Sequence, residues 1–160
     1  MSERPIRRGR ADDFDTVMSR CTASFSDHTP AHLPFEALYP DSIQATESSM
    51  DSWLLVEVDG EIAAGMQAVP LPMRVAGTVK LSVAGLGNVF CYPPFRHKSH
   101  ICALLKATIP RMHDDGYAVS VLGGDRIRYG RFGWEVAGHS RQLSLRREMM
   151  REDDEPDVAV

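Results

Sequence analysis

Residues 85–122 read GLGNVFCYPPFRHKSHICALLKATIPRMHDDGYAVSVL. The run VFCY is apolar, is stopped by Pro93-Pro94 and passes through the short polar loop PPFRHKSH. Beyond the loop, Ile101, Leu104, Leu105, Thr108, Ile109 and Met112 recur at the three- and four-residue spacing of a helix with one buried face. Pro110 should kink that helix, because its ring removes a donor and crowds the carbonyl of Lys106, and Gly116 should close it. YAVSVL is a second apolar run. A connection of this length lets the two strands lie parallel as a βαβ unit, which predicts an α/β domain with a crossover helix.

Upstream, WLLVEV (53–58) and EIAAGMQAV (61–69) flank Asp59-Gly60, the dipeptide of a type I′ hairpin, and so predict an antiparallel pair. MRVAGTVKLSV (73–83), with Gly77 near its turn, predicts a second hairpin before the GLGNVFCY run, so the sheet should grow as a meander. PIRRG (5–9) suits an edge strand. Phe14, Val17, Met18, Cys21 and Phe25 predict an amphipathic helix, with Asp12, Asp13 and Asp15 at the positive end of its dipole. Residues 26–52 carry Pro30, Pro34 and Pro40 and read as a structured loop with short helices, FEALY among them. Downstream, RIRYGRF reads as a short helix and WEVAGHSRQLSL as a last strand. The expected organisation is one domain over residues 1–146 and an acidic, flexible tail over 147–160.

The chain has 160 residues, enough for one domain with a sizeable core, and 43% hydrophobic against 25% charged residues, which excludes wholesale disorder. Lys and Arg number 18 against 22 Asp and Glu, a net charge of −4, so no general nucleic-acid binder is expected. No run approaches the roughly 20 apolar residues of a membrane span, and the opening MSERPIRRGR lacks the apolar core of a secretion signal. The expectation is a cytoplasmic protein with no membrane partner. With 3 Cys and no CxxC, neither a disulfide framework nor a zinc site is suggested. His28 and His32, with Asp27 nearby, have i, i+4 spacing, but Pro30 between them argues against one helical face, and no metal is expected. Cys91 and Cys102 read as small core residues. There is no G-x-S-x-G, and GLGNVF lacks the rest of a dinucleotide fingerprint.

Charge is unevenly spread. Between Glu61 and Asp114 there is no carboxylate, while Arg74, Lys80, Arg96, Lys98, Lys106 and Arg111 are present. Arg96, His97, Lys98 and His100 coincide with the free amides at the predicted helix start, a place suited to a phosphate-bearing ligand, or to a solvated basic loop.

VLGGDRIRYGRFGWEVAG (121–138) resembles the L-G-x-x-x-x-Y-x-R-F-G-F/Y signature of YhbS-like members of the GNAT superfamily of acyl-CoA N-acyltransferases and of the N-terminal domain of Eis-like acetyltransferases. The element order and the P-x-x-R loop extend the resemblance from Ile6 to Leu145, and IRRGRADDFDTVMSRCTASF is similar to the opening of such proteins. The resemblance implies an α/β GNAT fold: a mixed, mostly antiparallel sheet flanked by helices and opened between the strand at Val89 and the strand at Val119. It also implies acetyl-CoA as cosubstrate and a small-molecule or peptide amine as acceptor, approaching the segment from Ser26 to Ser52. A homodimer is a family habit.

By the same resemblance, backbone groups of Val89, Phe90 and Cys91 would bond the pantetheine arm. The R/Q-x-x-G-x-G/A diphosphate loop aligns with Arg96, His97, Lys98, Ser99, His100 and Ile101. Tyr129 aligns with the tyrosine that protonates the departing CoA thiolate, and Gly124 and Asp125 with residues lining the CoA arm. Tyr129 also suits a core position beside Phe132 and Trp134. The sequence departs from the family at Ser99 and Ile101, where glycine, and glycine or alanine, are usual; both add bulk near the diphosphate. No carboxylate lies on the central strands. Glu57 is the nearest candidate base in sequence, and His97 and His100 have suitable chemistry. Two readings follow: an N-acetyltransferase, or a GNAT-fold ligand-binding or interaction module that has lost catalysis.

Overall fold

The computed structural model describes residues 5–25 and 34–137. Among these residues five strands form one sheet in the order β1 (Ile6–Arg8), β2 (Trp53–Val58), β3 (Glu61–Val75), β4 (Val79–Cys91) and β5 (Val119–Val121). Every neighbour is antiparallel except β4 and β5, which pair parallel. The helices are α1 (Phe14–Phe25), α2 (Glu47–Asp51), α3 (His100–Asp114) and α4 (Arg126–Tyr129). This is the expected mixed sheet flanked by helices.

The β2–β3 turn is built as its dipeptide requires, with φ of 52° at Asp59 and 81° at Gly60. The next turn repeats that geometry at Ala76 (φ 50°) and Gly77 (φ 75°). The arms of this second turn correct the sequence reading. Instead of a meander of short strands, the EIAAGMQAV run continues through Pro70 and Pro72 to Val75, and the GLGNVFCY run begins already at Val79. The prolines do not interrupt β3, for a reason of register. Ala68 donates its N–H to the Ser52 carbonyl at 2.9 Å, so positions 70 and 72 face that same side. β2 begins at Trp53, opposite Gln67. Beyond that point no described strand pairs with this edge, and among the described residues the missing proline N–H groups break no ladder bond.

Two apolar layers cover the sheet. Val17, Met18 and Cys21 of α1, with Phe35, Ile43 and Met50, pack on Trp53, Leu55, Ile62 and Phe90. On the other face, Leu104 and Leu105 of α3 and Tyr129 pack on Val56, Ala64, Met66 and Leu86. Pro110 lies inside α3 without ending it, and Gly116, at φ 78°, donates to the His113 carbonyl and closes it. Trp134–Ala137, where a last strand was expected to begin, is not strand. The rest of that predicted strand, the tail, and His28 and His32 lie outside the described residues. Among the described residues no helix is long and apolar enough to cross a membrane.

Candidate functional site

The site begins with an irregularity in β4. Gly65 pairs with Phe90 and Gln67 with Gly87, so two steps on β3 oppose three on β4. The extra residue is Asn88, with φ of 51°. The bulge puts Gly87 and Asn88 on one face and returns Val89 and Cys91 to the face of α3, where both join the second apolar layer. β5 pairs with β4 at Val83, Ala84 and Gly85. From Leu86 onward β4 therefore has no neighbouring strand on that side among the described residues, and a cavity of about 880 Å³ opens there.

Nine of the residues singled out from sequence stand on the wall of this cavity. Val89, Phe90 and Cys91 form the strand side, and Arg96, His97, Lys98, Ser99, His100 and Ile101 form the loop and helix start. The loop is pinned to the end of α1. Arg96 donates from Nε to the Cys91 carbonyl (3.4 Å) and from Nη2 to the Ser24 carbonyl (3.3 Å), and the Ser24 hydroxyl donates to the Cys91 carbonyl (3.2 Å). Ser99 is the N-cap of α3, with φ of 58° and no side-chain cap bond. The serine thus takes the left-handed conformation that glycine would take at that place. The amides of His100, Ile101 and Cys102 follow with no intrahelical acceptor. His100 is 3% exposed and meets the Phe95 ring edge-on. Lys98 lies over the same ring, 5.5 Å from its centroid.

Three predicted residues are off the wall. Asp125 is the N-cap of α4, its Oδ1 accepting from the Ile127 amide at 2.8 Å. Gly124 lies against the Tyr129 ring, where a Cβ would come within 2.9 Å of Cε2. Tyr129 is 8% exposed and packed edge-on to Trp134. Its neighbours Arg128, Arg131 and Phe132 reach the cavity instead. Sequence reasoning missed these three, and also Ser24, Phe25, Cys102, Leu105 and Lys106. Cys102 and Lys106 were within reach of a helical projection from Lys98, being four and eight residues on. Nothing local pointed to Ser24.

Among the described residues the wall carries Arg96, Lys98, Lys106, Arg128 and Arg131 and no carboxylate, a strongly cationic enclosure in a chain of net charge −4. Burial pushes the Cys91 thiol up, partly opposed by Arg96. Glu57 is elsewhere: its Oε1 accepts from Nε and Nη2 of Arg7 at 2.9 and 2.7 Å, at the β1–β2 edge. It is a structural ion-pair partner there and not a base for this cavity. Described residues 34–52 do not line the cavity either, although Phe35 stacks on Phe25 at 5.4 Å. A second cavity of about 110 Å³ is rimmed by the ion-paired Arg8, Asp51, Arg111 and Asp115. Among the described residues no group of three His, Cys, Asp or Glu side chains is placed to hold a metal ion.

Residues 5–137 match the family model described as an acetyltransferase (GNAT) domain. A comparison with curated proteins finds none that matches. Among solved structures, a GNAT family acetyltransferase from Brucella melitensis in complex with acetyl-CoA is 21% identical, with a TM-score of 0.68 over 85% of each chain. The aminoglycoside N-acetyltransferase AAC(6′)-Iy in complex with CoA is 18% identical, with a TM-score of 0.64 over 91% of this chain and 97% of that one. A probable N-acyltransferase from Enterococcus faecalis V583 is 17% identical, with a TM-score of 0.67. The match covers 82% of this chain and spans about a third (32%) of the length of that protein. At these identities the likeness is one of fold.

Proposed function

The chain belongs to the GNAT acetyltransferase family, and from that premise we propose that it transfers an acetyl group from acetyl-CoA to a primary amine of a small molecule or peptide. The observation that carries the proposal is the cationic cavity where β4 leaves β5, beside the start of α3, which has no side-chain cap. CoA brings a diphosphate and a further phosphate, and guanidinium, ammonium and helix-start amides are the groups that bind them. Arg96, Lys98 and Ser99 stand at the helix start, and Lys106, Arg128 and Arg131 add positive charge around it. Val89, Ile101, Leu105 and Phe132 supply an apolar stretch of wall for the pantetheine arm. Ser99 keeps the turn that glycine would make, which supports retention of the phosphate loop.

In the reaction the amine nitrogen bonds to the thioester carbonyl carbon, the carbon–sulfur bond breaks, the sulfur takes a proton and the amine gives one up. The Tyr129 phenol is the proposed donor to sulfur. With no carboxylate among the described residues of the wall, the amine would arrive neutral or lose its proton to water or to a histidine of the loop. The same lack, with Tyr129 set behind the wall, favours a second reading, a module that binds CoA without turning it over.

Calorimetric titration with acetyl-CoA at low ionic strength, followed by CoA release with a panel of amines, tests both. We expect micromolar binding, weakened about tenfold by Arg96→Ala, and a kcat about 100-fold lower in Tyr129→Phe at unchanged affinity. Absence of binding at millimolar acetyl-CoA would sink the proposal. Binding without CoA release from any amine would select the silent module, and equal turnover in Tyr129→Phe would remove the acid.

A further inference from the structure

Gln67 and Asn88 are polar residues at the bulge for which the acyl-CoA reading has no use. Gln67 is 1% exposed, on the β3 face that α1 covers and opposite Gly87. Its Nε2 donates to the Ser42 carbonyl (2.8 Å) and to the Ser52 hydroxyl oxygen (3.0 Å), and its Oε1 accepts from Asn88 Nδ2 (2.6 Å). The Ser52 hydroxyl in turn donates to the Ser49 carbonyl at 2.6 Å.

The direction of this chain is set from one end. A backbone carbonyl can only accept, so Gln67 must turn its NH₂ toward Ser42. Its oxygen then faces Asn88, and Asn88 must answer with its own NH₂. Flipping either amide would set two acceptors against each other at a buried site, a cost of about 1–3 kcal/mol. The backbone alone does not choose where the extra residue sits, because neighbouring Gly87 could adopt a positive φ as readily as Asn88. The side-chain bond from Asn88 to Gln67 makes that choice. A one-residue slip would turn Val89, Phe90 and Cys91 to opposite faces of the sheet.

We propose that Gln67 and Asn88 form a clamp of fixed polarity that sets the β4 bulge and so holds the cavity-facing backbone at 89–91 in place for the acyl-CoA arm. Both are positioning residues. The proposal rests on the acyl-CoA reading for its purpose but not for its geometry.

Asn88→Asp tests it, being nearly isosteric and equally tolerant of positive φ. As a carboxylate, Asp faces the Gln67 oxygen and cannot donate; protonated, it can. At about pH 7.5 its acetyl-CoA affinity should be at least about tenfold below wild type, and at about pH 4.5 the gap should narrow to about fourfold, since an aspartate of ordinary pKa about 3.9 is only partly protonated there. Backbone amide exchange at 87–91, read without ligand, should be faster than wild type at the higher pH and move toward it at the lower. Asn88→Gly keeps the backbone conformation and removes only the amide, so it should be weakened at both pH values; it also carries the test should Asn88→Asp not fold. Asn88→Gly binding like wild type would overturn the clamp, leaving charge repulsion as the cause of any loss in Asn88→Asp. An Asn88→Asp defect independent of pH would overturn it as well. Wild-type protein that binds no acetyl-CoA would overturn the functional reading instead, while the exchange data would still decide the clamp.

Discussion

Ser99 illustrates how a departure from a familiar pattern reads differently in sequence and in space. Its side chain suggested bulk against a ligand, yet the residue is exposed and its backbone adopts the left-handed turn. Ile101 shares the wall with Ser99 but also packs into the α3-side layer. Arg7 shows a second kind of residue effect. It donates to both Asp13 oxygens (2.7 and 2.8 Å) and to Glu57. The Arg7 hydrogen bond is the largest cause holding the Asp13 carboxyl below its usual range, against the opposing effect of burial. A carboxyl depressed in the folded state stabilises above its unfolded pKa of about 3.9, and that stability is lost as pH falls through the lower folded value. Asp13→Asn should therefore cost about 1–2 kcal/mol at neutral pH and less in acid, measured by urea unfolding across pH. An equal loss at both ends would remove the ion pair as the cause. None of this was legible at Glu57, whose nearness in sequence to the central strands suggested a base while its partner lies fifty residues away.

Elements were legible wherever their signal was local. The α1 and α3 stripes, the Asp59-Gly60 turn and the βαβ crossover each depend on spacing or turn chemistry within a few residues. In the β3–β4 hairpin the turn was legible too, but the full length of the two strands was not, because Pro70 and Pro72 are breakers inside a sheet and harmless at an edge, and only the point where β2 begins decides which applies. Its turn can be improved. Ala76 holds φ of 50° at a position that favours Asn, so Ala76→Asn should raise stability by about 0.5 kcal/mol. Gly77→Ala, at φ 75°, should lower it by about 1 kcal/mol. Urea midpoints check both, and a loss in Ala76→Asn would contradict the turn type.

Over the whole molecule, the net charge of −4 hides a polarised distribution. Acids gather near the amino end and in the tail, while cations converge on one cavity. If that field draws the CoA phosphates, acetyl-CoA affinity should fall at least about tenfold between about 0.02 and 0.5 M salt in calorimetric titration, because screening shortens to a few ångströms. Salt-independent binding would place the ligand away from these cations. By itself the sequence determined the strand and helix periods, the two positive-φ turns and the basic loop at the start of α3, since each is dictated by neighbours in the chain. The tertiary structure alone decided the fusion of the strand runs into β3 and β4, the bulge at Asn88, the convergence of Arg128 and Arg131 on the cavity and the packing of Tyr129 behind it. Those features depend on which distant groups meet. Gln67 finds Asn88 twenty-one residues on, and Arg96 finds Ser24 seventy-two residues back, because the sheet and α1 bring them within hydrogen-bond reach.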